Sequence, residues 1–188
     1  MAKIRTLSRT FPAGHPKAGQ YTYFVEKFLK CLYKFDNLEQ LSDRIFAVNK
    51  HRIESGVISA VQVCRFCNDI DFGVYKSCDP KHHTIRSGHS IKDGEAISVR
   101  CWSGKPYNSP QIILAPDIAV RVAPINIKEE EQFFPFKLDI QIYNGVIIGE
   151  YLLAKNDGLL KQDFIEWFKP SLPFQGQVII WSKENIGY

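Results

Sequence analysis

The sequence has no apolar run approaching the roughly 18 residues that a membrane-spanning helix needs. Its first residues, MAKIRTLSRTFPAGHPKAG, contain no apolar stretch of the kind a secretory leader carries. No membrane partner is expected, and the expected compartment is the cytoplasm. Repeats, low-complexity tracts and long linkers are absent, so the chain does not read as collagenous or broadly disordered. A second CxxC is also missing. The five cysteines are Cys31, Cys64, Cys67, Cys78 and Cys101. An odd count without a leader argues against a disulfide framework. Cys64 and Cys67 form a lone CxxC outside any thioredoxin-like pattern.

Charge of one sign is scarce overall: the net charge is +4. It is unevenly spread, because residues 1–52 hold ten Lys and Arg against four Asp and Glu. That excess suits either an ordinary basic face or a polyanion such as RNA or DNA, with RNA the first expectation.

What is present is core material. Of 188 residues, 45% are hydrophobic and 13% aromatic, enough for one domain. The expected organisation is a single domain over 1–188, with a helical elaboration over about 1–56 and a β-rich core over about 57–188. The first twenty residues read as irregular, punctuated by Pro12, Gly14, Pro16 and Gly19. Phe24, Phe28 and Leu32 recur at helical spacing within Tyr21–Tyr33. A second helix is expected from about Leu38 to Glu54, with Leu41, Ile45 and Val48 as its stripe and Asp36 or Asn37 as its cap. Strands are expected in GVISAVQV, AISVRCW, two runs of QIILAPDIAVRV around Pro116, FKLDIQIY, GVIIGEYLL and QVIIW. One more helix is expected over roughly Leu160 to Phe168. The sum is an α+β class: a small β-barrel or strongly curved sheet with flanking helices.

The densest chemistry lies in PKHHTIRSG, Pro80 to Gly88. A tight turn leading into a strand would send Thr84 and Arg86 to one face, with Lys81 entering from the turn. Arg86 can hold a phosphate or base carbonyl through two parallel hydrogen bonds. Thr84 can donate or accept. His82, His83 and Arg86 would add positive field around Lys81. A solvated basic turn is the plain alternative. In CWSGKPYNS, Trp102 and Tyr107 flank Lys105, a combination that can stack a base and meet its phosphate. Lys17 and His15 in AGHPKAG make a third candidate, a fixed loop over a cleft. Cys64, Cys67, Cys78 and His82 or His83 offer a Cys3His zinc set within twenty residues.

Lys81-His82-His83-Thr84-Ile85-Arg86, the step KDGEAISVRCW and the tail NDGLLKQDFIEWF before QVIIW together resemble the ASCH domain, over roughly residues 80–181. FPAGHPKAG and WSGKPYNSPQ are also similar to segments of uncharacterised bacterial and phage proteins. The resemblance implies a PUA-like barrel with a cleft beside it, and binding of RNA, a nucleotide or a modified nucleoside. In one branch, small amidohydrolases remove the acetyl group of N4-acetylcytidine with a Lys, a Thr three residues later and a distant Glu. Here those positions fall on Lys81, Thr84 and Asp157, with Asp one methylene shorter. As an enzyme, Thr84 would attack the amide, Lys81 would take its proton, and Asp157 would orient Lys81 or pass the proton on. The first expectation is a binder with a basic cleft lined by Lys81, Thr84, Arg86 and Asp157, without a cofactor. The amidohydrolase is the second, and a zinc-stabilised interaction protein the third.

Overall fold

A computed structural model describes residues 2–130, 137–142, 146–184 and 186–187. The class is α+β, as expected. Among the described residues the strands form two sheets, of three and five strands, rather than one closed barrel. The chain divides into two compact units with interleaved segments.

The first unit holds residues 1–9, 23–78 and 96–118. Its elements are β1 (Lys3–Thr6), α1 (Phe24–Leu32), α2 (Leu38–Glu54), α3 (Ala60–Asn68), α4 (Phe72–Ser77), β3 (Ala96–Trp102) and β4 (Gln111–Ala119, continuing just past the unit). Between α4 and β3 the chain makes β2 (His83–Ser87) of the second unit. The sheet order is β1-β3-β4, with β1 parallel to β3. Phe28, Leu41, Ile45, Val63, Phe66, Ile97, Val99, Ile112 and Leu114 are fully buried. α2 closes the edge strand β4 with polar side chains. Asn49 accepts from the Ile113 N–H and donates to its carbonyl, and Arg52 Nη2 donates to the Gln111 carbonyl. Bonding strand positions 111 and 113 in this way satisfies groups that an open edge would leave bare.

The second unit holds residues 10–22, 79–95 and 119–188. Besides β2 it contains β5 (Arg121–Glu129), β6 (Leu138–Ile142), β7 (Val146–Ile147), α5 (Glu150–Asn156), α6 (Lys161–Phe168), a short 3-10 turn and β8 (Phe174–Ile180). The sheet order is β2-β8-β5-β6-β7. Register assigns its side chains to two faces. Ile85, Val178, Ala123, Ile125, Ile142, Ile127 and Ile140 share one buried face. Phe174 belongs to that face and meets Phe168 of α6 edge-on, with ring centroids 5.0 Å apart, so α6 covers it. The other face carries Thr84, Arg86, Gln177, Pro124, Gln175 and Asn126, with Val122 and the fully buried Ile179 opposite Thr84.

Several expectations need correction. GVISAVQV is not a strand: its second half begins α3, and Cys64 and Cys67 ride on that helix. Ser59 and Gln62 form a capping box, and burial falls on Val63, Phe66 and Cys67 while Val57 and Val61 are exposed. A helical start signal outweighed the β-branched content. GVIIGEYLL is a strand only at Val146–Ile147 and turns into α5 at Glu150. The run QIILAPDIAVRV does not break at Pro116, which lies inside β4. β4 is an edge strand and spares a donor there, and the next residue, Asp117, has φ 50. The first twenty residues include β1, and α4 was not foreseen. Phe136, Tyr143 and Gly145 of the expected strands lie outside the described residues. Among the described residues no helix is long and apolar enough to cross a membrane.

Candidate functional site

α5 ends where its sequence says it must. Gly158 takes φ +74, and Leu159 N–H and Gly158 N–H bond the carbonyls of Ala154 and Lys155. That is a Schellman ending with Asp157 as the C-cap residue. It leaves the carbonyls of Asn156 and Asp157 pointing out of the helix end. The segment entering β2 satisfies both. His82 N–H donates to Asn156 O at 2.8 Å, and Lys81 Nζ donates to Asp157 O at 2.5 Å. A cation at a helix C-terminus also meets the negative end of the dipole. Lys81 Nζ further donates to Asp157 Oδ1 at 2.5 Å, so one amine holds both the cap carbonyl and the cap carboxylate.

The tie continues to β8. Trp181 Nε1 donates to Lys81 O at 2.6 Å, and the backbone N–H groups of Trp181 and Ser182 both donate to His82 O. Lys81 is 1% exposed. A lysine buried so deeply persists only when paired and hydrogen-bonded, as it is here.

His83, fully buried, is the third member of the cluster, with Nε2 3.7 Å from Asp157 Oδ1. It was expected to supply positive field, and this is corrected. Burial first, then the charges of Lys81 and His82, hold its imidazole well below the usual value. Lys81 already takes up the Asp157 charge at the shorter distance, so the ion pair does not rescue the imidazolium. His82 is lowered as well, chiefly by burial, with Glu184 opposing. The unfolded chain therefore takes up protons first as pH falls below about 6.5. Stability is expected to be full above that value and to drop, from His83 alone, by up to about 1.4 kcal/mol per pH unit between pH 6.5 and 5.5. Denaturation midpoints at pH 7.5, 6.5 and 5.5 measure it. In a His83→Gln chain the slope should shrink, and a wild-type profile flat over this window would contradict the assignment.

Strand alternation places Thr84 and Arg86 on the face opposite His83 and Ile85. Thr84 is 6% exposed, and no hydrogen bond among the described residues holds its hydroxyl. Between β2 and β3, Gln177 binds both the N–H and the carbonyl of Ile91, which fixes the 88–95 loop on the Thr84 side of β8. Lys81 and Asp157, 76 residues apart, meet directly, with His83 rather than Thr84 at strand positions facing them.

Lys17 lies in the same unit and donates to Asp163 Oδ2 at 2.8 Å. His15 Nδ1 accepts the Lys17 backbone N–H, so Nε2 carries the ring proton and donates to Asp163 O. Phe11 stacks on the His15 ring at 4.3 Å. The AGHPKAG loop is thus fastened to α6, and the Lys17 charge is spent on Asp163.

The remaining candidates lie in the first unit. Trp102 and Tyr107 come together, ring centroids 5.2 Å apart, on the β3–β4 hairpin. Tyr107 is 87% exposed at φ 64, and Lys105 is exposed beside it. Ser109 Oγ braces the tip between Gly104 N–H and Lys105 O. Cys64 is exposed, whereas burial pushes the Cys67 thiol up to about 11. Burial also raises Cys78, and His82 Nδ1 pairs with Ser182 Oγ. Among the described residues no group of three or more His, Cys, Asp and Glu side chains is placed to hold a metal ion.

Sequence reasoning missed Trp181 as the anchor of Lys81. The available signal was an indole at the end of the last strand, whose N–H needs an acceptor when buried. No family model, no curated protein and no solved structure matches the chain.

Proposed function

We propose that the protein is an ASCH-type, PUA-like module that binds a nucleotide, a modified nucleoside or an RNA segment, with Thr84 and Arg86 as its contact residues. The barrel that the resemblance implies belongs to this proposal. The observation that carries it is Thr84: a nearly buried hydroxyl, unclaimed among the described residues, on the same sheet face as a guanidinium. A threonine and an arginine two strand positions apart can meet a base edge and a phosphate or carbonyl together. Lys81 and Asp157 act beneath them as the rigid support, because their polar atoms are bonded to each other.

One observation favours a second reading, the amidohydrolase. Lys81 and Asp157 are in contact, which is the pair the N4-acetylcytidine branch would use. Against it, a general base needs a lone pair, and the Lys81 amine donates to a carboxylate and a carbonyl.

The two readings part on Thr84→Val, which keeps the shape and removes the hydroxyl. Cytidine, cytidine 5′-monophosphate and a short single-stranded RNA serve as binding probes, and N4-acetylcytidine as substrate. The binder predicts no release of acetate, several-fold weaker binding in Thr84→Val, and at least about tenfold weaker binding in Arg86→Ala, since a charged contact contributes about 1.5–3 kcal/mol. Acetate release by the wild type that disappears in Thr84→Val would replace the binder with the enzyme.

A further inference from the structure

In the first unit a second set of cations stands without a carboxylate partner among the described residues. Arg52 closes the buried stripe of α2, following Leu41, Ile45 and Asn49. Its Nη2 reaches Gln111 O at 3.1 Å, and its Nε is buried without a hydrogen-bond partner among the described residues. Gln111 Nε2 extends to Thr6 Oγ1 at 3.2 Å, crossing over β3, and Thr6 stands opposite Arg100 in the β1–β3 register. Arg100 therefore sits under this bridge, its Nε donating to Ser98 Oγ at 3.1 Å. Neither arginine forms an ion pair with a carboxylate among the described residues. Like charges so placed repel each other. Burial and the Arg52 charge both push the Arg100 guanidinium down from its ordinary value. Two positions after Arg100, and so on the same sheet face, comes Trp102 with Tyr107 against it.

We propose that Arg52 and Arg100 form an anion site for a phosphate group, and that the Trp102–Tyr107 pair beside it stacks the base of the same nucleotide. Two guanidiniums offer several N–H donors to phosphate oxygens, and the anion removes the repulsion between them. An aromatic step away supplies the sequence-tolerant stacking surface that nucleotide binders use. Tyr107 is presented by a braced hairpin at positive φ, so the ring is held out rather than folded into a core. A free mononucleotide and one residue of a single strand share this chemistry. The site shares no residue with the Thr84 and Arg86 face.

The full chain is titrated calorimetrically with AMP, adenosine, inorganic phosphate and a single-stranded octanucleotide. AMP is expected to bind at least about tenfold more tightly than either adenosine or phosphate. Arg100→Gln should weaken AMP about tenfold or more, and Tyr107→Ala should weaken AMP several-fold while leaving phosphate unchanged. An octanucleotide that binds more tightly than AMP, with affinity falling as salt rises, assigns the site to nucleic acid; equal affinity assigns it to the free nucleotide. Thermal melting guards against a merely structural role. In phosphate-free buffer Arg100→Gln should hold or raise the melting temperature, and phosphate should stabilise the wild type more than this variant. A lower melting temperature in Arg100→Gln, or AMP affinity indifferent to both Arg100→Gln and Arg52→Gln, overturns the proposal.

Discussion

Lys81→Met is expected to destabilise the protein by about 3–5 kcal/mol. The side chain is 1% exposed, and its amine is the donor to both Asp157 Oδ1 and Asp157 O. Methionine fills most of the space but leaves a carboxylate and a helix-end carbonyl buried without their cation. Removing one partner of a buried pair costs far more than the pair's net contribution, because the remaining charge stays desolvated. Lys81→Met combined with Asp157→Leu should therefore recover most of the loss, leaving about 1 kcal/mol for the cap carbonyl. Urea denaturation at neutral pH decides it. A single-variant loss below about 1 kcal/mol would mean that water reaches the pair and that it is not a structural tie. A loss of activity in Lys81→Met would report on folding before chemistry, which is why Thr84 carries the functional test.

Gly176→Ala is expected to be at least as damaging, by about 3 kcal/mol or more. A Cβ at this position would lie 2.1 Å from Arg86 O and 2.9 Å from Arg86 C. Neither neighbour is a flexible tip: both belong to the backbone of β2, which pairs with β8 at Ser87 opposite Gly176. Relief requires the two strands to part, which breaks the ladder and displaces Arg86. The conformation itself is not the obstacle, since the crowding comes from the strand approach alone. Thermal melting with hydrogen exchange across residues 83–87 measures both effects. A Gly176→Ala chain that melted within about 1 °C of the wild type, with β2 still protected, would contradict the close approach.

The elements read correctly from the sequence are those whose signals are local. α2 runs from Leu38 to Glu54 with Asn37 accepting from Gln40 N–H, and β3 runs from Ala96 to Trp102, because cap, period and alternation all lie within a few residues. α6 follows the same rule. α3 and α5 were misread because Val and Ile runs suit a strand or a buried helix equally, and packing makes the choice. α3 packs on α2, and α5 packs on α6. In the site, alternation within HTIRS by itself put Thr84 with Arg86. It could not say which face the helices would cover. The tertiary structure decided that, turning His83 toward Asp157 and leaving Thr84 on the other side. The contact between Lys81 and Asp157 spans 76 residues, and no spacing rule reaches so far; the family resemblance suggested it, and the Schellman end of α5 supplies its physical reason. Arg52 and Arg100 carried no mark in the sequence beyond their charge. Only the bond from the α2 end to β4 brings the Arg52 charge to bear on Arg100, because no local spacing links the two residues.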